Sequence, residues 1–460
     1  MEKEITMNRM GTAPVKKLML TMGIPMILSM ALQALYNIVD SFFVSSIKDT
    51  PAVAHLGDYA VNALTLAFPV QMLMVAIGIG TGVGVNALLS KSLGQGDREK
   101  GSWISGNAVF LGLCTYIVFL LFGIFGVNAY MVSQTKDPVV LQMGKAYLGI
   151  CSILSFGSIL FMIYEKLLQA TGRTMLSTVA QVAGAVTNII LDPILIFGYL
   201  GFPEMGIEGA AYATVIGQVI SLVLGILFHM ICNRRDINTG FQYLRPRKKI
   251  IMEVYTIGIP AIIMQALMSF MTYGVNIIFG AVSTAAVTAY GIYYKIQQFV
   301  FFAAFGMNNA MIPIIGFNYG KRDKKRIQEG IRYGMLYTLI IMLAGAILLQ
   351  VFAGQLIGIF SLSDETRALC IRAVRVITFG YLFAGANIAY QGIFQALGYG
   401  MCSLLVSMVR LIIVALPLAW IFTCFPNAEM LIWTAFPIAE GAALILAAAL
   451  MRQVAKKRLA

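Results

Sequence analysis

From about residue 16 to about residue 451, long apolar runs alternate with short polar ones. Ile104–Val127, Leu336–Phe360 and Leu404–Phe425 each hold twenty or more mostly apolar residues. At about 1.5 Å per residue, such a run crosses a hydrocarbon layer of about 30 Å as a helix. Strands of a membrane barrel would instead show as alternating segments of about ten residues, a pattern this chain lacks. The runs predict twelve spans, at 16–46, 55–83, 102–127, 138–170, 175–200, 207–232, 250–280, 285–316, 330–358, 367–397, 401–424 and 429–451. The opening MEKEITMNRMGTAPVKK has no short apolar core and no small-residue cleavage site, so the first span is expected to be retained. The expected fold is an all-α polytopic membrane protein.

Composition agrees. Of 460 residues 59% are hydrophobic and 12% charged, against about 25% charged in an ordinary soluble protein. Mean hydropathy is +0.83. A net charge of +13 invites a nucleic-acid reading, but the distribution of the charge argues against it. With the tails and even-numbered loops placed inside, 25 of the 33 Lys and Arg fall on that side. This is the positive-inside bias, and it predicts a plasma-membrane protein with both termini in the cytoplasm. Basic clusters such as Lys321–Arg326 then hold loops at the anionic leaflet. The six cysteines are scattered, with no CxxC, so neither disulfide nor metal cluster is expected. Five read as small apolar fillers and Cys232 falls at a span end. His55 and His229 also lie near span ends, where an interfacial place is expected.

The chain repeats itself. Ala60-Val61-Asn62-Ala63 matches Ala286-Val287-Thr288-Ala289, and Leu93–Arg98 matches Tyr319–Lys324. Leu168–Gly172 matches Phe394–Gly398, and all three pairs share an offset of 226. Six spans per half, both halves starting on one side, make a parallel repeat, as in many transporters. The expected division is a first lobe at 1–232, a basic cytoplasmic linker at 233–249 and a second lobe at 250–460. Rocking of such lobes could expose a cleft to each side in turn.

Acids inside spans are costly, roughly 2.5–3.5 kcal/mol each on insertion scales, and so are functional candidates. Asp40, Glu165, Asp192 and Glu440 lie in spans, and Glu253 lies at a span entrance. By helix rise, Asp40, Asp192 and Thr214 share a layer roughly 9–12 Å below the outer surface. In VTNIILDPILIF (186–197), Asn188 and Asp192 are one turn apart on one face. Pro193 lacks an N–H, which frees the carbonyl of Ile189. These oxygens, with Asp40 and the Thr214 hydroxyl, suit Na⁺ or a proton and not a soft metal. In the second half the proline recurs as Pro417 without the acid, so bending alone does not require it. Glu165 is open between binding a cationic substrate and pairing with Lys166 or another base. Lys295 and Arg410 are expected to pair or snorkel, and Glu440 is unassigned. GIGTGVGV (78–85) lacks a following Gly-Lys-Ser/Thr, so its small residues are read as close helix packing, not a nucleotide loop.

LYNIVDSFFV (35–44), LGQGDREK (93–100) and TNIILDPILIFG (187–198) resemble the multidrug and toxic compound extrusion (MATE) transporters, along essentially the whole chain. Asp40, Glu165 and Asp192 together are most similar to the MepA-like, DinF-type bacterial branch. The resemblance implies twelve helices in two pseudo-symmetric six-helix lobes. It also implies ion-coupling roles for Asp40, Asn188, Asp192 and Thr214, with Na⁺ held at Asp40, Asn188 and Asp192 if sodium is the ion. Substrate contacts are expected from Glu165, Asp192, Gln33, Tyr36 and Asn37. The NorM-type pattern of second-lobe acids is not evident. The expected protein is not an enzyme and needs no cofactor. It would be a monomeric antiporter in the lipid bilayer that exports amphipathic, often cationic compounds against H⁺ or Na⁺. The alternatives are a lipid-linked precursor flippase and a passive channel.

Overall fold

The computed structural model describes residues 9–51, 54–360 and 362–458, excepting the side chains of Asn37 and Arg458. Ten unbroken helices among them are long and apolar enough to cross a membrane. Two bent pairs bring the number of spans to twelve when each pair counts as one. The first six are Val15–Ser45, Leu56–Gly94, Arg98–Gln134, the pair Pro138–Ile153 and Phe156–Ala170, Thr174–Phe197, and Ile207–Cys232. The second six are Lys248–Gly280, Thr284–Lys321, Lys324–Gly358, the pair Asp364–Thr378 and Tyr381–Ala396, Gly400–Phe422, and Ala428–Lys457. The protein is thus an all-α, polytopic membrane protein of two six-helix halves. The bends fall on the same span of each half, the fourth (44°) and the tenth (53°).

Two of the three matched sequence motifs are helix boundaries. Asp97 caps the third span by accepting the Lys100 N–H at 2.8 Å, and Asp323 caps the ninth by accepting the Arg326 N–H at 3.2 Å. Each cap follows a residue of positive φ, Gly96 at 75° and Arg322 at 60°. The turn therefore recurs although only the first copy has the residue that favours it. Gly172 (83°) and Gly398 (85°) end the fourth and tenth spans in the same left-handed geometry.

Packing does not follow chain order. One compact unit holds the chain up to Met30, Ser90–Gly96 and everything from Tyr255 onward; the other holds Ala31–Leu89 and Asp97–Val254. In the first unit the segment at Met10 is fastened to the eighth span and the turn after it. Asn318 Nδ2 and Arg326 Nη2 both donate to the Met10 carbonyl, at 3.1 and 2.9 Å. At the end of the second span Gly94 abuts the carbonyl of Phe317, and Gly320 in turn abuts that of Lys91. These are the same two positions of the repeat, meeting backbone to backbone, and a Cβ at either would collide.

In the second unit the polar stretch 233–249 is anchored along its length. Asn107, fully buried, donates to the carbonyls of Tyr243 and Arg245 and accepts the Arg247 N–H at 2.7 Å. Arg247 lies over the Trp103 ring, 3.2 Å from its centroid. Glu253 pairs with Lys100 at 2.7 Å. His229, in the last turn of the sixth span, is buried, with its Nδ1 at 3.0 Å from Asn233 Nδ2. All six cysteines are free; Cys151 and Cys370 are buried, whereas Cys424 is exposed rather than a filler. The glycines of GIGTGVGV serve packing: Gly82 lies under the stem of Lys166, which is buried beside it.

Candidate functional site

The fifth and sixth spans meet along a seam of small residues. A Cβ on Gly217 would stand 2.6 Å from the Gly184 carbonyl oxygen and 3.1 Å from Asn188 Cβ. Backbones this close let the Asn188 side chain reach across to the sixth span. In the amide orientation that satisfies both of its ends, its nitrogen donates to Asp192 Oδ2 at 3.1 Å. Its oxygen accepts the Thr214 backbone N–H at 3.0 Å. Tyr36 of the first span donates to Thr214 Oγ1 at 3.5 Å.

Asp192 is fully buried and Asp40 is 8% exposed. The two carboxylates are close enough to interact electrostatically. Asp40 Oδ1 is buried and has no hydrogen-bond partner among the described residues. No Lys or Arg among those residues forms an ion pair with either acid. Burying unpaired charge costs several kcal/mol per ion, so this pair is stable only if a proton or a small cation offsets it. The surrounding donors are oxygens apart from the Asn188 nitrogen, a set that suits hard cations. Asp40 lies five residues before the end of its helix, Asp192 five before the end of its own, and Thr214 seven after the start of the sixth span. All three therefore lie about 8–11 Å along the helix axes from those ends.

Sequence reasoning missed three neighbours. Tyr147 is buried and interacts electrostatically with Asp40, and Gln71 Nε2 donates to its hydroxyl at 3.4 Å. Gln181 Nε2 donates to Gln33 Oε1 at 3.0 Å. Gln71 and Gln181 carried the signal that revealed Asp40, a polar residue in an apolar span; Tyr147 is one of 20 tyrosines with nothing to mark it. Asn37 belongs to the first span, but its side chain lies outside the described residues.

Glu165 is held by different partners. Its Oε1 accepts from Gln169 Nε2 at 2.8 Å, and Gln169 Oε1 accepts from Lys166 Nζ at 2.9 Å. Acid and base are thus linked through an amide one turn away. Glu440 and Arg410 form an ion pair in the second half, at 2.5 Å. Lys295 is exposed.

Twelve spans in two repeated halves, with an unbalanced pair of buried acids at one helix seam, define a polytopic membrane protein with a cation-suited polar cluster. The chain belongs to the MatE family, whose model matches twice, over residues 25–194 and 260–421. Among its relatives, the multidrug export protein MepA of Staphylococcus saprophyticus is 26% identical over 421 residues, covering 91% of this chain and 90% of that protein. MepA of Staphylococcus aureus is 25% identical over 422 residues, covering 92% and 90%. Among solved structures, MATE in the straight conformation superposes with a TM-score of 0.89 at 22% identity, covering 99% of each chain. The outward-facing conformation of a multidrug resistance MATE family transporter of the MOP superfamily also gives 0.89 at 22%, covering 98% of each. These two share the fold along the whole length.

Proposed function

We propose that the protein is a secondary active multidrug exporter, an antiporter that expels amphipathic, often cationic organic compounds in exchange for H⁺ or Na⁺. It is a transporter and not an enzyme, and it works as a monomer in the plasma membrane with both termini in the cytoplasm. Family membership and the multidrug export proteins among its relatives support the class of activity. One observation carries the coupling role: the buried Asp40–Asp192 pair has no basic partner among the described residues and an unsatisfied Asp40 oxygen. Asp40, Asn188, Asp192 and Thr214 form the coupling site. Gln33, Tyr36, Asn37, Asp192 and, separately, Glu165 contribute to the drug path.

A cation drives the cycle only through its differential affinity for the two conformations. Moving a population from 1:99 to 99:1 takes a preference of about 10⁴-fold. A dry pocket with two acids supplies such a preference if it closes around the cation in one state and opens in the other. The test is export of a cationic dye from proteoliposomes under an imposed sodium or pH gradient, each alone. Export is expected with one of the gradients and to vanish in Asp192→Asn. Full retention in that variant, or flux following only the dye's own gradient, overturns the reading.

A further inference from the structure

The second half contains a cleft of about 790 Å³ including its open mouth, formed within one unit. Eight of its eighteen lining residues are aromatic. Tyr290 and Phe436 are stacked there with an interplanar angle of 8°, and Phe301 meets Tyr381 edge-on at 5.3 Å between centroids. Into this apolar setting the eleventh span delivers one guanidinium, that of Arg410. Arg410 lies in a π-helical turn, Val409–Ile413, a local widening that often marks a functional position.

The Arg410 side chain is 5% exposed, and its Nε donates to Glu440 Oε1 at 2.5 Å. Glu440 is itself fixed, since its Oε2 accepts from Asn387 Nδ2 at 2.8 Å. A guanidinium has five N–H donors, and Glu440 engages only the one on Nε. The terminal nitrogens of Arg410 have no hydrogen-bond partner among the described residues, and the residue lines the cleft. A planar fork of free donors, fixed from behind by a carboxylate, matches a second carboxylate in shape and charge. The flanking rings suit a flat apolar body.

We propose that this cleft binds planar aromatic carboxylates, with Arg410 as the anchor and Glu440 as the residue that positions it. This selectivity is opposite in sign to that of the acid pair at the first seam. It does not depend on ion coupling.

The test uses the full-length protein in nanodiscs and tritiated 2-naphthoate, with specific binding read by scintillation proximity. Unlabelled 2-naphthamide and 2-naphthylmethylammonium keep the ring and change only the head group. Both are expected to compete at least about tenfold more weakly than unlabelled 2-naphthoate, the scale of a lost hydrogen bond to a charged group. The double variant Arg410→Gln/Glu440→Gln removes both charges and leaves neither buried alone; its affinity for 2-naphthoate is expected to fall by at least about tenfold. Asp192→Asn is expected to leave that affinity unchanged, whatever it does to export. Equal competition by all three compounds overturns the proposal. So does full binding in a folded double variant, or an equal loss in Asp192→Asn. If the double variant does not fold, Arg410→Lys serves in its place. It keeps the charge without the fork and is expected to weaken binding; full binding there overturns the proposal as well.

Discussion

The seam between the fifth and sixth spans and the crossing of the eleventh and twelfth come from the same two helices of the repeat, yet their chemistry differs. At the first, Asn188 ties Asp192 to the Thr214 backbone, and Asp40 adds a second acid with no base among the described residues. At the second, Glu440 is closed off by Arg410 and Asn387. The repeated frame sets which helices cross; the polar residues at the crossing decide whether it carries uncompensated charge. Only the first crossing has a charge imbalance for an external cation to correct.

The sharpest way to break this contrast is to neutralise one acid on each side. Asp40→Asn is expected to reduce gradient-driven dye export to the level of empty liposomes while the protein stays folded. Glu440→Gln is expected to act on stability, because it strands Arg410 in a buried place, at a cost of about 3–5 kcal/mol. Its remaining folded fraction should still respond to the gradient. Flux assays read the first outcome and unfolding midpoints in detergent the second. If the two effects were exchanged, the coupling site would belong in the second half.

The next test concerns how closely the helices must approach. Gly217→Ala drives a methyl group into the Gly184 backbone carbonyl, which cannot move aside. It is expected to cost about 1–3 kcal/mol and to weaken export by displacing Asn188 from Thr214. Gly274→Ala, in the seventh span, meets the Leu416 side chain first, with Cδ1 at 2.7 Å and Cδ2 at 3.0 Å. A leucine can change rotamer, so the expected cost there is under about 1 kcal/mol. Equal losses of stability and export in the two variants would mean that the seam has no special geometry.

These contrasts also show what the sequence could reveal. Apolar runs located all twelve spans because burial in lipid demands them, but they did not locate helix ends. The second span was expected to end at 83 and runs to Gly94, because Asn86, Ser90, Lys91 and Ser92 interrupt the apolar run but not the helix. The bend between Ile153 and Phe156 has no proline to announce it. Asn188 and Asp192 were legible together because one turn separates them on one helix. The partners of Glu440 were not, because Arg410 and Asn387 come from other spans and sequence distance carries no information about them. Gln169 was legible in the same way, since one turn separates it from Glu165 on one helix.

The smallest expected effect separates the two halves at a helix start. Asp49 Oδ1 accepts the Leu56 N–H at 3.0 Å ahead of the second span, and Ser283 Oγ accepts the Ala286 N–H at 3.1 Å at the eighth. Backbone N–H groups, that of His55 first and then that of Leu56, hold the Asp49 carboxyl below its ordinary range. A depressed acid stabilises the fold above its unfolded value, about 3.9, and that contribution fades as pH falls through the lower folded value. A serine hydroxyl has no such titration. Amide exchange, corrected for intrinsic rates, should therefore show protection at Leu56 weakening below about pH 3.9 while Ala286 holds steady. Asp49→Asn should remove the pH dependence and leave Leu56 modestly less protected throughout. A matching acid sensitivity at Ala286 would trace the loss to general loosening of the bundle and not to the cap, because the only titrating group in this comparison belongs to the first half.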